Sequence, residues 1–173
     1  SDFHFASSNG FSGGYKKTAF QLFCSAIAGE GSSMERDYSS EQRTFFNDLP
    51  PPAEIGQLAA KRAIERLNPR RPRTGLYPVI FDQRISGSLI GHLTSAINGE
   101  AICRGSSWLL NSLNKKILSD SLTLCENPKR PKISGSRPFD GEGLMTTKKN
   151  FIENGILKHY ILDLRTARKL KLE

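Results

Sequence analysis

A short connector limits how this chain can fold more than any other feature of its sequence. Residues 68–75 read N-P-R-R-P-R-T-G and carry no large apolar side chain. Proline fixes its own backbone, lacks an N–H and disfavours the helical conformation in the residue before it. A buried helix or a central strand therefore cannot run through these residues. We expect the connector to separate two parts of the chain.

The composition restricts the class of protein without naming a function. The chain has 173 residues, enough for one ordinary domain or two small ones, and its 25 Lys+Arg against 17 Asp+Glu give a net charge of +8. Collagen-like and disulfide-scaffold chains are excluded by this composition. No apolar run approaches the ~20 residues that span a bilayer, so a transmembrane protein is excluded as well.

The part before the connector predicts a strand pair and one helix. Residues 1–15, rich in Ser and Gly, are expected to form a loop or chain edge. Residues 18–28 favour a strand, and residues 34–38 an antiparallel returning strand. An amphipathic helix then follows Pro50–Pro52. Its apolar stripe consists of Ile55, Leu58, Ala59, Ala63, Ile64 and Leu67.

The part after the connector predicts a mixture of strands and helices. We expect a strand over residues 76–81, and then a helix over residues 85–97 that Asn98-Gly99 closes as a C-cap. Residues 108–113 favour a short buried turn, and residues 121–125 a further strand.

The dipeptide Asn154-Gly155 is the clearest local signal. Asn-Gly between apolar residues is typical of a type I′ turn, which predicts a hairpin with arms over residues 146–153 and 156–162. A basic helix is expected from Asp163. The fold class is therefore α+β: antiparallel β-hairpins and a sheet with a few packed helices.

The cysteines indicate a reducing compartment. Cys24, Cys103 and Cys125 are odd in number and contain no C-x-x-C pair, so we expect three reduced, mostly buried thiols. No secretory signal is visible at Ser1. We expect a cytoplasmic protein.

The residues offer no recognisable catalytic constellation. A catalytic zinc site needs about three ligands on a rigid frame, and His4, His92 and His159 are isolated from one another in sequence. Cys103 and Ser107 are the candidate nucleophiles, although neither lies in a G-x-S-x-G pattern. For His92 we favour a packed or helix-surface role, and for Cys103 a buried thiol at the end of a strand. The sequence predicts no catalytic residue, metal ligand or cofactor in this chain.

A glycine-flanked loop brings two carboxylates together. In S-R-P-F-D-G-E-G, Asp140 and Glu142 could bind a cation or act as acid and base. The alternative is a shaped turn in which Asp140 caps its own backbone, and this is the favoured interpretation.

Three basic clusters raise the alternative of a nucleic-acid partner. Such clusters bind phosphates by releasing counterions. No aromatic residues are interleaved with them, however, and a solvated surface is favoured. The clusters comprise Arg66, Arg70, Arg71 and Arg73; Lys129, Arg130 and Lys132; and Arg165, Arg168, Lys169 and Lys171.

A series of phrases in fixed order resembles the TldD/PmbA family, and within it the PmbA (TldE) branch. The resemblance covers most of the chain from about Ser25 onward. The phrases are M-E-R-D-Y (34–38), L-N-P-R (67–70), A-I-N-G-E-A-I-C-R-G-S-S-W-L (96–109), S-L-T-L-C-E-N-P (121–128), R-P-F-D-G-E-G (137–143), F-I-E-N-G-I-L (151–157) and T-A-R-K-L (166–170).

The resemblance implies a bacterial-type cytosolic protein that pairs with a TldD-like subunit to form a zinc peptidase. Such pairs are linked to maturation of peptide antibiotics and to antitoxin degradation, and an older label connects the family with DNA gyrase. TldD carries an H-E-x-x-x-H helix ahead of R-G-[ST]-S. Alignment on Arg104–Ser107 places Ile90 and Ser95 at the histidines and Gly91 at the glutamate.

Family members are longer, so the resemblance implies a central piece of a TldD/PmbA-type protein, with strand edges left to pair elsewhere. Residues 1–68 would end the middle region, residues 69–75 would be the linker, and residues 76–173 would begin the metalloprotease-like domain. The family-signature positions receive only shaping roles: Arg104, Gly105, Ser107, Phe139, Asp140, Glu142 and Gly143.

The leading hypothesis is a non-catalytic PmbA/TldE-type subunit of a complex that acts on peptides, in which this subunit shapes or gates a peptide tunnel for a zinc-bearing TldD-like partner. The alternative is a basic module associated with nucleic acid. A third hypothesis, independent peptidase activity through Cys103 or Ser107, is the least favoured.

Overall fold

The chain divides into two units, seen in a computed structural model that describes residues 1–172. The first unit comprises Ser1–Ala6, Ser12–Leu76 and Arg130–Ser136. The second comprises Ser7–Phe11, Tyr77–Lys129 and the chain from Arg137 onward. Residues 69–82 form neither helix nor strand.

The first unit begins with a hairpin, so the prediction of a loop over residues 1–15 is wrong. Strand β1 (Asp2–Ala6) pairs antiparallel with β2 (Ser12–Lys16). The rings of Phe3 and Tyr15 lie 5.0 Å apart across the two strands. Ser and Gly dominate the composition here, but aromatic cross-strand pairs stabilise a hairpin irrespective of average composition.

A second hairpin confirms the predicted strand pair. Strand β3 (Phe20–Ala28) pairs antiparallel with β4 (Glu35–Arg43), with Phe20 opposite Arg43. The returning strand therefore extends well beyond the predicted residues 34–38. Residues 39–43 are polar, which hid them from a search for apolar alternation, yet their backbone pairs along the whole of β3.

Helix α1 (Pro52–Glu65) packs on this hairpin through part of its predicted stripe. Ile55, Ala59 and Ala63 are buried. Leu58 and Ile64 are exposed, because the small residues of the stripe form its innermost line. The carboxylate of Asp37 on β4 is 5% exposed and lies 2.9 Å from Nε of Arg66, just past the helix. This ion pair compensates the buried charge.

The second unit contains three helices among its described residues: α2 (Gln83–Ala96), α3 (Gly99–Cys103) and α4 (Leu164–Leu170). Helix α2 confirms the prediction over residues 85–97, and α4 begins directly after Asp163 as expected.

Asn98-Gly99 does not close α2 as a left-handed C-cap, and that prediction is wrong. Asn98 has φ −70°, and its side chain accepts a hydrogen bond from the Glu100 N–H, so it is the N-cap of α3. Gly99 is needed for close approach: a Cβ there would lie 2.6 Å from Oγ1 of Thr166 on α4.

The Asn154-Gly155 hairpin is confirmed at its turn, where φ is 48° at Asn154 and 76° at Gly155. Its strands, β6 (Lys149–Glu153) and β7 (Ile156–Leu157), are shorter than the predicted arms. Strand β5 (Leu124–Glu126) joins β6 in an antiparallel sheet of order β5-β6-β7, shifted from the predicted residues 121–125.

The core of the second unit lies between this sheet and helices α2 and α3. Tyr160 also forms a buried hydrogen bond, in which its hydroxyl donates to the Leu109 carbonyl at 2.9 Å. Within residues 1–172, no helix is both long and apolar enough to cross a bilayer. The buried core residues are Leu93, Ala96, Ile97, Ile102, Leu109, Phe151, Ile152, Leu157 and Tyr160.

The predicted strand over residues 76–81 is absent. Leu76 and Ile80 have relative exposures of 104% and 94%, and none of the described strands pairs with the segment. A strand is stabilised by a hydrogen-bonded ladder, and Pro78 contributes no N–H to one. The apolar composition alone was misleading.

Two predictions of burial are also wrong. Cys24 and Cys103 are only half-buried and Cys125 is exposed, although all three are free thiols. Cys103 ends a helix, where the notion of a buried strand-end thiol does not apply. In the turn at residues 108–113, Leu109 is buried but Trp108 is 71% exposed. A single inward position suffices to anchor so short a turn.

We predict that Gly155→Ala lowers the free energy of unfolding by about 2–3 kcal/mol. The alanine would be forced into the left-handed region, and its Cβ would lie 2.3 Å from the Leu118 carbonyl oxygen. The matched control is Gly87→Ala, in the exposed middle of α2 with nothing within 4 Å. It should stabilise by about 0.5–1 kcal/mol. Urea unfolding of both variants measures the difference, and equal effects would contradict the prediction.

Candidate functional site

The turn after α3 is held by the hydroxyl of Ser107. Its Oγ donates to the Ala96 carbonyl at 2.5 Å and accepts the Leu109 N–H at 2.9 Å. Gly105 has φ 70°, so the chain leaves the helix through a left-handed residue. The Ser107 hydroxyl thus donates its proton to a backbone carbonyl at the end of α2, and its role in this structure is to stabilise the turn.

Asp140 organises the glycine-flanked loop. Its Oδ1 accepts the backbone N–H groups of Glu142 and Leu144, both at 2.9 Å. These bonds match the favoured interpretation of Asp140 as a residue that caps its own backbone. The same bonds orient the loop so that the Glu142 side chain reaches the N-terminus of α4.

Phe139 and Gly143 fix the loop against an aromatic ring. Phe139 is buried, and its ring lies 4.9 Å from that of Phe11 in an edge-on arrangement. Gly143 has φ 83°, and a Cβ there would lie 2.8 Å from the Phe11 ring. Only glycine provides both the backbone conformation and the space.

Glu142 joins the loop to the start of α4. Its Oε2 accepts the Leu164 N–H at 2.9 Å, one of the first N–H groups of the helix, which has no partner within the helix itself. Asp163 caps the same end, accepting the Thr166 N–H at 2.6 Å. Hydrogen bonds from the side chain and backbone of Thr166 lower the pKa of the Asp163 carboxyl. Two carboxylates therefore stabilise this helix end.

Arg104 lies at the end of α3 and takes part in a carboxylate bridge to α4. Glu100 forms ion pairs with Arg104, at 3.6 Å, and with Arg165. The shared carboxylate links the two helices. Arg104 thus acts through its charge, Gly105 through its left-handed backbone conformation and Ser107 through its hydroxyl.

A groove of about 610 Å³ opens between the loop, the sheet and α4. Asp140 and Glu142 lie in its wall, as do Phe151 and Tyr160 from the core. Arg104, Gly105 and Ser107 do not line it. The structure therefore brings four of the seven signature residues into one loop beside this groove and leaves the other three at the end of α3.

A second cavity, of about 540 Å³, adjoins the first through the shared Lys149. Lys148, Lys158 and His159 also line it. Partial burial, followed by the charges of Lys149 and Lys158, lowers the pKa of the His159 imidazole. The imidazole is therefore neutral at pH 7.

This basic cavity was not predicted from the sequence. Its basic residues fall in two adjacent pairs, Lys148-Lys149 and Lys158-His159, one on each side of the Asn154-Gly155 turn. A hairpin brings such flanking pairs together, so the predicted turn and the two pairs together were the available signal.

Helix α2 presents no zinc ligands at the positions that the alignment indicated. Ile90 is an exposed alkyl side chain, Gly91 has no side chain, and Ser95 offers a hydroxyl. His92 is an exposed residue of the same helix. Across residues 1–172, no three His, Cys, Asp or Glu side chains are grouped so that they could hold a metal ion.

Both parts of the chain match domain models of a metallopeptidase family. Residues 1–67 match the model of the PmbA/TldA metallopeptidase central domain, and residues 74–173 match that of the PmbA/TldA metallopeptidase C-terminal domain. The chain belongs to the PmbA/TldD family.

Individual relatives point to the PmbA branch. The chain is 41% identical over 169 residues to Metalloprotease PmbA of Escherichia coli O157:H7, covering 98% of this chain and 38% of the relative. It is 34% identical to the Metalloprotease PmbA homolog of Haemophilus influenzae, covering 96% of this chain and 37% of the relative. The chain thus spans less than two-fifths of the length of these relatives.

Solved structures share the fold. A Bacteroides thetaiotaomicron protein described as a modulator of DNA gyrase superposes with TM-score 0.89 at 36% identity, over 96% of this chain and 38% of the other. TldE from Thermococcus kodakarensis superposes with TM-score 0.73 at 21% identity, over 99% of this chain and 39% of the other. The α+β class with antiparallel strands is confirmed.

The zinc that a metallopeptidase family implies does not fit α2 of this chain. An alkyl group at Ile90 and a hydroxyl at Ser95 stand where zinc would need two imidazole nitrogens, and Gly91 has no side chain where the motif has its glutamate. At these positions the helix therefore offers no side chains for a catalytic zinc ion.

We predict that Ser107→Ala lowers the free energy of unfolding by about 1–3 kcal/mol, because it leaves the Ala96 carbonyl and the Leu109 N–H without the hydroxyl. Ser106→Ala is the matched control, since Ser106 is exposed and makes only a 3.4 Å bond to the Ala101 carbonyl. That variant should stay within about 0.5 kcal/mol of the parent chain. Thermal unfolding distinguishes them. A Ser107→Ala chain of unchanged stability would revive the nucleophile hypothesis.

We predict that Glu142→Ala costs about 1 kcal/mol and accelerates hydrogen exchange at the Leu164 N–H, because a helix-capping carboxylate is lost. Glu142→Gln keeps an acceptor oxygen and should recover part of the loss. Glu126→Ala removes an exposed carboxylate from the same groove wall and should leave exchange at Leu164 unchanged. Equal exchange in all three variants would show that Glu142 does not cap α4.

Proposed function

We propose that this chain is part of a non-catalytic PmbA/TldE-type subunit, which works in the cytoplasm beside a zinc-bearing TldD-like subunit to process peptides. The observation that carries the proposal is the set of residues on α2: Ile90, Gly91 and Ser95 at the positions of a zinc-binding motif. In this proposal the partner supplies the metal, and this chain helps to shape the path of the peptide.

The family membership supports a TldD-like partner. The chain is 32% identical over 114 residues to the Metalloprotease TldD homolog of Buchnera aphidicola, covering 64% of this chain. The two branches are therefore related in sequence over this region. Related subunits commonly assemble through equivalent surfaces, which makes a mixed pair a natural arrangement.

The groove beside the signature loop supports a role in holding peptide. Its walls combine apolar side chains, including Leu144 and Met145, with charged ones such as Arg137 and Arg168. Binding sites typically combine apolar walls with a few placed polar groups. Asp140, Phe139 and Gly143 would act here by fixing the loop rather than by contacting a reacting bond.

A nucleic-acid partner is the second candidate, motivated by the net charge of +8. Structures described as modulators of DNA gyrase, one from Thermotoga maritima among them, also carry this fold. Several residues of the basic clusters are already engaged, however. Arg66 pairs with Asp37, Lys132 with Asp48 and Arg165 with Glu100. Fewer cations are thus available to phosphates than the sequence suggests.

We predict that the full-length parent protein, purified from its own lysate, brings down a near-equimolar partner carrying H-E-x-x-x-H, and that zinc follows the partner. Mass spectrometry and zinc analysis of the eluate measure both. In the purified pair, His92→Ala in this chain should leave peptide hydrolysis unchanged, because His92 is an exposed helix residue. Replacement of the partner's motif glutamate by glutamine should abolish hydrolysis.

Two results would overturn the proposal. One is stoichiometric zinc on the parent protein alone, which would place a metal site in it. The other is recovery of the protein without a partner, free of zinc and carrying nucleic acid that salt removes, which would favour the second candidate.

A further inference from the structure

The second cavity concentrates positive charge that the protein itself does not neutralise. Lys148, Lys149 and Lys158 line it, and none of the three forms an ion pair within residues 1–172. One carboxylate, that of Glu153, lies in the same wall. Like charges gathered in one pocket repel each other, and a bound anion relieves that repulsion.

The hairpin brings these positively charged side chains together. Lys149 opens β6, and Lys158 follows β7 on the other side of the Asn154-Gly155 turn. The Lys158 N–H donates to the Phe151 carbonyl at 2.8 Å, which extends the pairing past the short β7 and places Lys158 across from Phe151, two residues from Lys149 along β6. The lowered pKa of His159 reflects the same field, since Lys149 and Lys158 both contribute to it after partial burial.

The remaining lining residues offer hydrogen bonds suited to a carboxylate. Asn114 contributes a side-chain amide, while its backbone N–H is bonded to the Leu157 carbonyl, and the neutral His159 ring has an N–H. The Asn150 amide donates to Glu153 at 3.2 Å, which holds that carboxylate to one side. The cavity thus combines ammonium groups and neutral donors, the set that binds carboxylates in charge-assisted hydrogen bonds.

We propose that this basic cavity, lined by Lys148, Lys149, Lys158, Asn114 and His159, binds the side-chain carboxylates of an acidic peptide segment. The proposal rests on the proposed function, because it names the class of peptide that the subunit would hold. Lys149 also lines the first groove, so an extended peptide could lie in the groove and place acidic side chains in the basic cavity.

Three features favour a peptide over nucleic acid. No Phe, Tyr or Trp lines the basic cavity within the described chain, so bases would find no aromatic platform for stacking. Glu153 would repel a run of phosphates. The volume of about 540 Å³ falls within the range of roughly 300–1,000 Å³ that is usual for small-ligand pockets.

Side chains are favoured over a free C-terminus because the cavity holds three ammonium groups and one carboxylate. The excess of positive charge matches more than one incoming carboxylate. A C-terminus would supply a single one.

The test is fluorescence polarisation with the 173-residue chain and three short labelled peptides. The first is Glu-rich with an amidated C-terminus, the second has each Glu replaced by Gln, and the third is the Gln peptide with a free C-terminus. We expect the Glu peptide to bind about tenfold more tightly than either Gln peptide, and salt to weaken that binding. A preference for the free C-terminus, or no discrimination, would overturn the proposal.

Variants assign the binding to the cavity. Lys149→Gln and Lys158→Gln should each weaken binding of the Glu peptide about threefold, and together about tenfold. Lys169→Gln is the matched control: it removes an exposed lysine of α4 that lines neither cavity, and binding should be unchanged. An equal loss in the control, or no loss in the double variant, would overturn the assignment. Circular dichroism of each variant verifies folding.

A labelled oligonucleotide completes the design. We expect it to bind more weakly than the Glu peptide and without dependence on Lys149 or Lys158. Tighter binding that the double variant abolishes would assign the cavity to phosphates instead. Because no partner subunit or hydrolysis is involved, failure here leaves the proposed pairing with a TldD-like subunit untouched, and the reverse is equally true.

Discussion

Backbone hydrogen bonds around the Asn154-Gly155 turn hold the second unit together. The Gly155 N–H donates to the Leu122 carbonyl, while the Gly155 carbonyl accepts the N–H groups of Ile117 and Leu118. The loop before β5 is thereby wrapped around the tip of the hairpin, at a distance that excludes any side chain at residue 155. Ile152 and Leu157, fully buried on the two strands, depend on this registration. The sheet, the core and both cavities follow from it.

The same pairing of backbone groups also explains why residues with a structural role lie beside the groove. The Asn98 backbone pairs with Ile161, and Gly99 brings α3 close to α4. Helix α4 in turn receives its cap from Glu142. A contiguous chain of contacts therefore runs from the hairpin to the signature loop. Residues whose spacing looks catalytic in the sequence act here by fixing backbone positions, which is why Asp140 and Ser107 both bond to main-chain groups.

Local chemistry could be predicted from the sequence, whereas pairing over distance could not. The Asn154-Gly155 turn, the Asp163 start of α4 and the stripe of α1 are decided within a few residues, and they were found. The β1–β2 hairpin and the length of β4 depend on cross-strand partners, and polar strands carry little apolar signal. Asn98 illustrates the remaining ambiguity: an Asn-Gly pair suits either helix end, and only the close packing of Gly99 on Thr166 decides for the N-cap. The basic cavity escaped notice because its lysines meet only when the hairpin forms.

The exposed connector has a consequence for the integrity of the polypeptide. Residues 69–82 form neither helix nor strand, and Arg70, Arg71 and Arg73 lie within this stretch. Exposed irregular backbone is where proteases cut first. Trypsin should therefore nick the chain between its two family domains long before it attacks either folded unit. Cleavage there would leave the hydrophobic residues of both units untouched, because no buried core residue lies within residues 69–82.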